Sequence, residues 1–194
     1  MNMPMKPPCP FSSIAIPHVT SDGPSQPDLL LREATASDAS AVLHHLRQVL
    51  SQGPVDIPKL ASEVMTTTAE EAELLQSFAD DPHSLFLVLE HKGQVVGNLD
   101  LKAYKRPALR HGAVLGMAIQ QDFRGLGLGK TLIQQALAWA RQTDLKRIEL
   151  FVYTRNAPAL ALYRRCGFVV EGCRKGVIYE RGTYLDDYIM AFYL

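Results

Sequence analysis

Residues 119–132 read I-Q-Q-D-F-R-G-L-G-L-G-K-T-L, and this stretch predicts a strand, a glycine turn and the start of a helix, in that order. An apolar segment with strand character, residues 113–119, ends at the polar residues 120–122. Three glycines follow at every second position, after which apolar residues recur with the spacing of one helix face. The order indicates a fold built from layers of helices and strands, with this junction near its centre.

The glycine turn, defined here as residues 124–130, has the properties of an anion site. The start of a helix leaves about four backbone N–H groups without partners and carries the positive end of the macrodipole. Glycines let an anion approach the backbone closely, and Arg124 and Lys130 add positive charge. The segment therefore predicts a phosphate-binding site, although a flexible connector between strand and helix would explain the same glycines.

Two common phosphate-binding motifs do not match this turn. A P-loop requires a glycine five residues before its Gly-Lys pair, and Arg124 occupies that position. The dinucleotide fingerprint G-x-G-x-x-G would place its third glycine on Lys130. What remains is the pattern R-x-x-G-x-G at residues 124–129.

Size and charge restrict the classes of function. A chain of 194 residues with 47% hydrophobic content suits one domain with a substantial core. Twenty basic residues balance twenty acidic ones, so no basic field predicts binding to nucleic acid or to an anionic membrane. No apolar run approaches the roughly 18 residues of a membrane span. Three cysteines and six histidines lack metal-ligand spacing, which favours a reduced cytoplasmic compartment and gives no support for a metal site.

The pattern along the chain predicts one domain behind a proline-rich segment. Residues 1–28 contain seven of the twelve prolines and predict a disordered or loosely attached tail, and residues 29–194 predict the folded domain. Hydrophobic periodicity and cap residues predict strands at 29–33, 85–90, 95–101, 113–119, 147–152, 168–171 and 184–194, and helices at about 35–51, 68–79, 128–142 and 157–166. A polar loop is expected at 174–182. The predicted class is α/β (α+β), with a mixed, mostly antiparallel sheet of about seven strands flanked by about four helices.

A second motif follows the strand at 147–152. Asn156, Ala157 and Pro158 have the chemistry of a helix start, with Asn as the N-cap and Pro in the first turn. Tyr163 comes seven residues after Asn156, and seven steps of about 100° return nearly to the same azimuth. The two side chains are therefore predicted on one helix face, two turns apart. Taken singly, each is also explained as a cap or a core residue.

The two motifs together resemble the GNAT superfamily of N-acetyltransferases. The resemblance covers residues 29–194 and is carried by R-G-L-G-L-G-K at 124–130 and N-A-P-A-L-A-L-Y-R-R-C-G-F at 156–168. It is closest to the branch that acts on free L-amino acids, to which R-H-G-A-V-L-G-M-A-I (110–119), I-E-L-F-V-Y (148–153) and G-T-Y-L-D-D-Y-I-M-A (182–191) are similar. It implies acetyl-CoA as co-substrate and a small primary amine as acceptor.

The resemblance also implies roles for individual residues. Backbone N–H groups of the glycine turn would hold the coenzyme pyrophosphate, namely those of Arg124, Gly125, Leu126, Gly127, Leu128, Gly129 and Lys130. A second set would bind the pantetheine arm, with Met117, Ala118 and Ile119 pairing with it like an added strand and Asn156 bonding to it near the thioester. Tyr163 would lie by the sulfur, and its spacing makes it the best-placed proton donor to the departing thiolate.

The general base and the residues that bind the acceptor stay open at this stage. Residues 113–119 contain no carboxylate, so the candidate bases are Asp100, His111 and Glu149, of which His111 is preferred as a base or relay. The carboxylate of an amino acid favours a bidentate arginine. Three arginines in segments expected to rim the acceptor side are candidates for that role: Arg110, Arg174 and Arg181.

Two other functions fit the same motifs. A peptide or protein N-terminal acetyltransferase would need an open groove, whereas a free amino acid needs a closed, cationic pocket. A non-catalytic acyl-CoA-binding module would retain residues 124–130 and Asn156 without needing Tyr163, so the tyrosine favours an enzyme. The expected partner is a small-molecule amine, without nucleic acid or membrane, and a homodimer is left open.

Overall fold

A computed structural model describes residues 6–8, 14–16, 29–51, 66–180 and 182–194. The strands are β1 (Ile14–Ile16), β2 (Leu29–Glu33), β3 (Leu85–His91), β4 (Gln94–Ala103), β5 (Gly112–Ile119), β6 (Arg147–Tyr153), β7 (Val169–Glu180) and β8 (Thr183–Tyr193). The helices are α1 (Ala39–Ser51), α2 (Thr68–Asp80), α3 (Leu128–Ala140) and α4 (Ala157–Arg165). Within these described residues, none of the helices has the length and hydropathy to cross a membrane.

The strands form one sheet in the order β1-β2-β3-β4-β5-β6-β8-β7. Every neighbouring pair of these described strands is antiparallel except β5 and β6, which run parallel. The predicted α/β class with a mixed, mostly antiparallel sheet is confirmed, and the described residues form eight strands rather than the predicted number of about seven.

Local sequence explains where the elements begin and turn. The Thr67 side chain accepts a hydrogen bond from the Glu70 N–H at 3.2 Å, and the Glu70 carboxylate accepts from the Thr67 N–H at 2.8 Å, which forms a capping box at the start of α2. Lys92 and Gly93 have φ angles of 49° and 78°, the left-handed pair that a tight hairpin between β3 and β4 requires.

Helices cover both faces of the sheet, and the alternation of side chains in β3 shows this directly. Leu87 and Leu89 belong to the core under α3 and α4, together with the fully buried Trp139 of α3. Phe86 and Val88 belong to a second core under α1 and α2. A strand buried on both faces reads as the continuous apolar run seen at residues 85–89.

The parallel strands β5 and β6 separate soon after they meet. Their pairing covers residues 112–114 of β5 and 147–149 of β6, and it ends at Val114 and Glu149. β5 continues to Ile119 with β4 as its neighbour, and β6 continues to Tyr153 with β8 as its neighbour. We call the space between residues 115–119 and residues 150–153 the β5–β6 opening. Along it, the two facing strand edges have no strand partner among the described residues.

The described parts of the N-terminal segment, which was predicted to be disordered or loosely attached, contact the domain. Residues 14–16 pair with β2, and the Lys6 ammonium donates to the Phe78 carbonyl at 2.8 Å. The indole N–H of Trp139 donates to the Pro7 carbonyl at 3.4 Å. The remainder of residues 1–28 lies outside the described residues, and its prediction stays a prediction.

The strand predicted at 168–171 is present but is longer than predicted, and the polar loop predicted at 174–182 is wrong for the described residues of this region. β7 extends from Val169 to Glu180 and forms a long antiparallel hairpin with β8. The strand lies at the edge of the sheet, most of its residues are exposed, and its pairing register shifts twice. An exposed and bulged edge strand lacks the alternation of apolar and polar residues from which a strand is predicted.

Candidate active site

The glycine turn presents a row of backbone donors to open space. Gly125 and Gly127 have φ angles of 76° and 81°, and a Cβ added to either would meet no atom within 4 Å. The first N–H of the helix with a protein acceptor is that of Thr131, which donates to the Gly127 carbonyl at 3.2 Å. Among the described residues, no protein group accepts from the N–H groups of residues 125–130. Consecutive amides of this kind form a concave anion site.

The start of the turn is fixed to the end of β5. The Arg124 Nε donates to the Ile119 carbonyl at 2.8 Å, and the Arg124 N–H donates to the Gln121 carbonyl at 3.1 Å. Met117 and Ile119 pack against the core that α3 and α4 share. The predicted pantetheine-binding residues and the glycine turn therefore lie together, beside the β5–β6 opening.

A buried polar network holds the same end of β5 from the opposite face. His45 of α1 is fully buried, and its Nε2 lies 3.2 Å from the Asn98 Oδ1 of β4. The Gln120 Nε2 lies 3.3 Å from the His45 Nδ1 and donates to the Gln48 Oε1 at 2.7 Å. Burial lowers the pKa of His45 to about 4, so the ring is neutral at physiological pH. Sequence reasoning missed this network because its members are far apart in the chain.

Close packing between α3 and α4 explains the third glycine of the turn. A Cβ on Gly129 would lie 2.9 Å from the Leu162 Cδ2 of α4 and 3.5 Å from the Met117 Cε of β5. Gly129 therefore permits α4 to approach the start of α3 directly above the end of β5.

Replacing Gly129 by alanine should lower the free energy of unfolding by about 1 kcal/mol, because the new methyl group overpacks the contact with Leu162. In a Leu162→Ala background the same substitution should be neutral or stabilising, since alanine is favoured over glycine inside a helix by about 1 kcal/mol. Urea denaturation of wild type, the two single variants and the double variant measures the coupling energy between positions 129 and 162. An equal cost in both backgrounds would contradict the contact.

The predicted helix start at Asn156 is present, and the cap engages the oxygen of the side-chain amide but not its nitrogen. The Asn156 Oδ1 accepts from the Ala159 N–H at 3.1 Å, as an N-cap does. Within the described residues, the Nδ2 of the same amide has no acceptor. The side chain can therefore cap the helix and donate one hydrogen bond to a ligand at the same time.

Tyr163 has a buried ring and a hydroxyl that has no partner among the described residues. The residue is 8% exposed, and its ring meets that of Phe168 edge to face at a centroid distance of 5.9 Å. The hydroxyl forms no hydrogen bond with a described residue. Every fully buried side-chain oxygen in the described part of the chain has a hydrogen-bond partner, so the Tyr163 oxygen is not fully buried. Burial raises the pKa of Tyr163 to about 12, which keeps the hydroxyl protonated as a donor.

His111, the preferred base from the sequence, lies at the other end of β5. Its side chain is exposed, and its carbonyl accepts from the Lys146 N–H at 2.8 Å and the Arg147 N–H at 3.2 Å. At about 3.3 Å per residue, the strand separates it from Ile119 by roughly 26 Å. Arg110, also exposed, lies beside it. The structure does not bring these two residues to the glycine turn.

Glu149 and Arg174 are already engaged by protein groups. The Glu149 carboxylate accepts from the Tyr104 hydroxyl and, at 2.9 Å, from Arg147. The Arg174 guanidinium bonds both oxygens of the buried Asp187 and stacks over the Phe151 ring at 4.1 Å. An acceptor carboxylate at Arg174 would compete with Asp187.

Arg181, the third arginine predicted on the acceptor side, lies outside the described residues. A surface groove of about 380 Å³ lies between Pro7 and Gln76. None of the residues that line it belongs to the glycine turn, to the β5–β6 opening or to α4.

Comparisons with known proteins agree with this geometry. The model of the acetyltransferase (GNAT) family matches residues 55–168. The L-amino acid N-acetyltransferase AaaT of Escherichia coli (strain K12) is 29% identical over 169 residues, which cover 84% of this chain and 97% of that protein.

Two solved structures share the fold. An acetyltransferase of the GNAT family from Streptococcus pneumoniae superposes with a TM-score of 0.81 at 29% identity, covering 86% of this chain and 99% of the other. A ribosomal-protein-alanine N-acetyltransferase from Brucella melitensis gives a TM-score of 0.75 at 27% identity, covering 84% and 99%. The names of these relatives include two different acceptors, a free amino acid and a protein alanine.

Proposed function

The chain belongs to the acetyltransferase (GNAT) family, and we propose that it moves the acetyl group of acetyl-CoA to the primary amine of a free L-amino acid or a similarly small amine. Its class of activity is acetyl-CoA-dependent N-acetyl transfer. The observation that carries the proposal is the β5–β6 opening, beside which the backbone donors of residues 125–130 have no partner among the described residues. Tyr163 of α4 adds a hydroxyl that also has no partner among the described residues.

The groups around the opening fit the coenzyme because they are polar groups without protein partners. The N–H groups of residues 125–130 would donate to the pyrophosphate, and the free edge of β5 at residues 117–119 would pair with the pantetheine amides. Lys130 adds a cation at the same end. Leaving these backbone groups unpaired is favourable only where water or a ligand satisfies them.

Catalysis by this site would consist of positioning and proton transfer. Holding an amine in line with the thioester carbonyl can contribute about 7–11 kcal/mol to lowering the barrier. The Asn156 Nδ2 and the Tyr163 hydroxyl are donors with no partner among the described residues, and they are separated by two turns of α4. In the proposed reaction Asn156 orients the arm near the thioester and Tyr163 donates a proton to the departing sulfur.

A small acceptor is favoured by the extent of the similarity to AaaT, which spans 97% of that protein. An amino-acid carboxylate would require a cation. Arg110 lies at the far end of β5, so Arg174 and Arg181 stay the candidates. Arg174 could serve only by sharing its guanidinium with Asp187.

A thiol-release assay with acetyl-CoA tests the acceptor class. We expect free L-amino acids to release coenzyme A faster than short peptides or polyamines at equal amine concentration, with the reaction lacking amine as the background. Release with peptides alone would instead favour an N-terminal acetyltransferase. If none of the amines increases thiol release above the background although the protein binds the coenzyme measurably, the result would favour an acyl-CoA-binding module.

A further inference from the structure

The carboxylate of Asp100 occupies the side-chain space of a glycine in the next strand. Asp100 in β4 lies directly opposite Gly116 in β5. A Cβ built on Gly116 would lie 2.7 Å from the Asp100 Oδ1 and 3.1 Å from its Oδ2, and the first distance is shorter than real contacts allow. The carboxylate therefore lies against the β5 backbone, and any side chain at position 116 would displace it.

This carboxylate lies where the β5–β6 opening begins. Gly116 comes two residues after Val114, the last β5 residue paired with β6. Leu99 and Leu101 point into the core under α3 and α4, so Asp100 between them points to the face of α1 and α2. Tyr163 belongs to the core of the α3 and α4 face. An acyl group in the opening would have the hydroxyl on one face of the sheet and the carboxylate on the other.

Asp100 has no hydrogen-bond donor among the described residues other than its own backbone N–H. Burial raises the pKa of Asp100 to about 6, against which Lys102 of the same strand acts to lower it and Glu71 of α2 acts to raise it. On that face α1 contributes the neutral His45, β3 contributes Phe86 opposite Asp100, and β5 contributes Gly116. The carboxylate is therefore ionised at neutral pH and accepts a proton more readily than an ordinary aspartate.

We propose that Asp100 is the general base of the acetyl transfer, reaching the acceptor amine through the space that Gly116 leaves in β5. The proposal rests on the function proposed above. It differs from the expectation for His111, which lies at the far end of β5, and for Glu149, whose carboxylate is already bound by Tyr104 and Arg147.

Asp100 takes one proton from the acceptor ammonium, directly or through one water, which frees the nitrogen lone pair. That pair forms the C–N bond to the acetyl carbonyl carbon while the C–S bond breaks and its electron pair goes to sulfur. The sulfur receives the proton of the Tyr163 hydroxyl. The nitrogen then loses a second proton, which returns to the Tyr163 oxygen. The products are the N-acetyl amine and coenzyme A, and the proton on Asp100 passes to solvent.

The pH dependence of kcat in Asp100→Asn tests the role. At saturating amine and coenzyme, the wild-type rate should rise with pH through a limb near 6, and the variant should lose that limb and about 10²-fold of its rate at neutral pH. Asp144→Asn, a change at an aspartate whose side chain is 85% exposed, should keep the wild-type profile. Retention of the limb in Asp100→Asn, or its loss in His111→Ala, would overturn the proposal.

Gly116→Ala tests the same geometry without altering a charged group. The added methyl group should push the carboxylate aside and lower kcat at least tenfold, while the dissociation constant for coenzyme A stays unchanged. Gly172→Ala is the matched control, because a Cβ at that strand glycine meets nothing within 4 Å. Equal kcat values for Gly116→Ala and Gly172→Ala would contradict the claim that a side chain at position 116 displaces the Asp100 carboxylate.

A titration without acceptor separates this proposal from the proposed function. NMR of protein labelled with ¹³C at the aspartate carboxyl carbons, with Asp100→Asn used for assignment, should give a midpoint near 6 for Asp100. A midpoint near the ordinary value of 3.8 would overturn the proposal whichever amine is acetylated. If free L-amino acids released no coenzyme A in the thiol-release assay, the proposed acceptor class would be wrong, but the midpoint of the Asp100 titration would still be expected near 6.

Discussion

Replacing Tyr163 by phenylalanine should lower kcat by about 10³-fold, within the range that general-acid catalysis contributes. The hydroxyl has no partner among the described residues, so its removal breaks no hydrogen bond of the fold and leaves no group unsatisfied. The free energy of unfolding should therefore stay the same or increase slightly. Affinity for coenzyme A, measured by calorimetry, should be unchanged, because the phosphate donors and the β5 edge are intact.

The pH profile adds a second readout for this tyrosine. Because burial raises the pKa of Tyr163 to about 12, the wild-type enzyme should show no alkaline loss of activity from this group below about pH 10. Tyr184→Phe is the matched control, since that ring is 72% exposed and lies at the tip of the β7–β8 hairpin. An unchanged kcat in Tyr163→Phe would remove the hydroxyl from the mechanism.

Replacing Gly127 by valine should raise the dissociation constant for acetyl-CoA by about 10²-fold or more. A φ of 81° is strained for a β-branched residue by about 1–3 kcal/mol, and relief of that strain turns the amides of the glycine turn away from a common anion. Each charge-assisted hydrogen bond lost adds about 1.5–3 kcal/mol. The rate at saturating coenzyme should fall much less, because Tyr163 and Asp100 are untouched.

Gly182→Val controls for the backbone strain itself. Gly182 also has a φ of 81°, and a Cβ there also meets nothing within 4 Å, but it lies in the β7–β8 turn. Both variants should lose similar amounts of stability in urea denaturation, and only Gly127→Val should lose coenzyme affinity. A similar loss of affinity in both would show that the glycine turn is not the phosphate site.

The elements that the sequence predicted well are those with local causes. The glycine turn and the start of α4 depend on residues adjacent in the chain: a left-handed glycine at the N-cap of α3, and Asn156 with Pro158 at the start of α4. Strands with one or two buried faces carry an apolar pattern of their own, as β3 and β6 do. Such features can be predicted because neither their geometry nor their signal depends on a distant partner.

The features that the sequence did not predict depend on neighbours across the sheet. Asp100 becomes a distinctive carboxylate only because the register brings it opposite Gly116, a residue that lies sixteen positions further along the chain. Arg174 was expected at an acceptor carboxylate, but the register of β7 on β8 brings it to Asp187. The length of β7 was underestimated because an exposed edge strand with register shifts has no apolar alternation.

An ionised Asp100 should also reduce stability. Its pKa is raised from 3.8 to about 6, so the folded state binds a proton more tightly than the unfolded state does. Stability should therefore fall as pH rises from about 4 to about 6 and stay lower above that window, by an amount on the order of 3 kcal/mol. The Asp100→Asn variant used to test catalysis should accordingly unfold at a higher temperature than wild type at neutral pH.

Because β5 separates from β6, binding of the coenzyme there would also couple the stability of this protein to the supply of acetyl-CoA. From Leu115 onward β5 has one strand neighbour within the described part of the chain, so a coenzyme arm lying there would extend the pairing on its other edge. A ligand bound only by the native state stabilises it by about 2.7 kcal/mol at a hundredfold excess over its dissociation constant. In a starved cell with little acetyl-CoA, more copies would sample opened forms that proteases cleave. Nutrient supply would then govern how many molecules survive as well as how fast each one works.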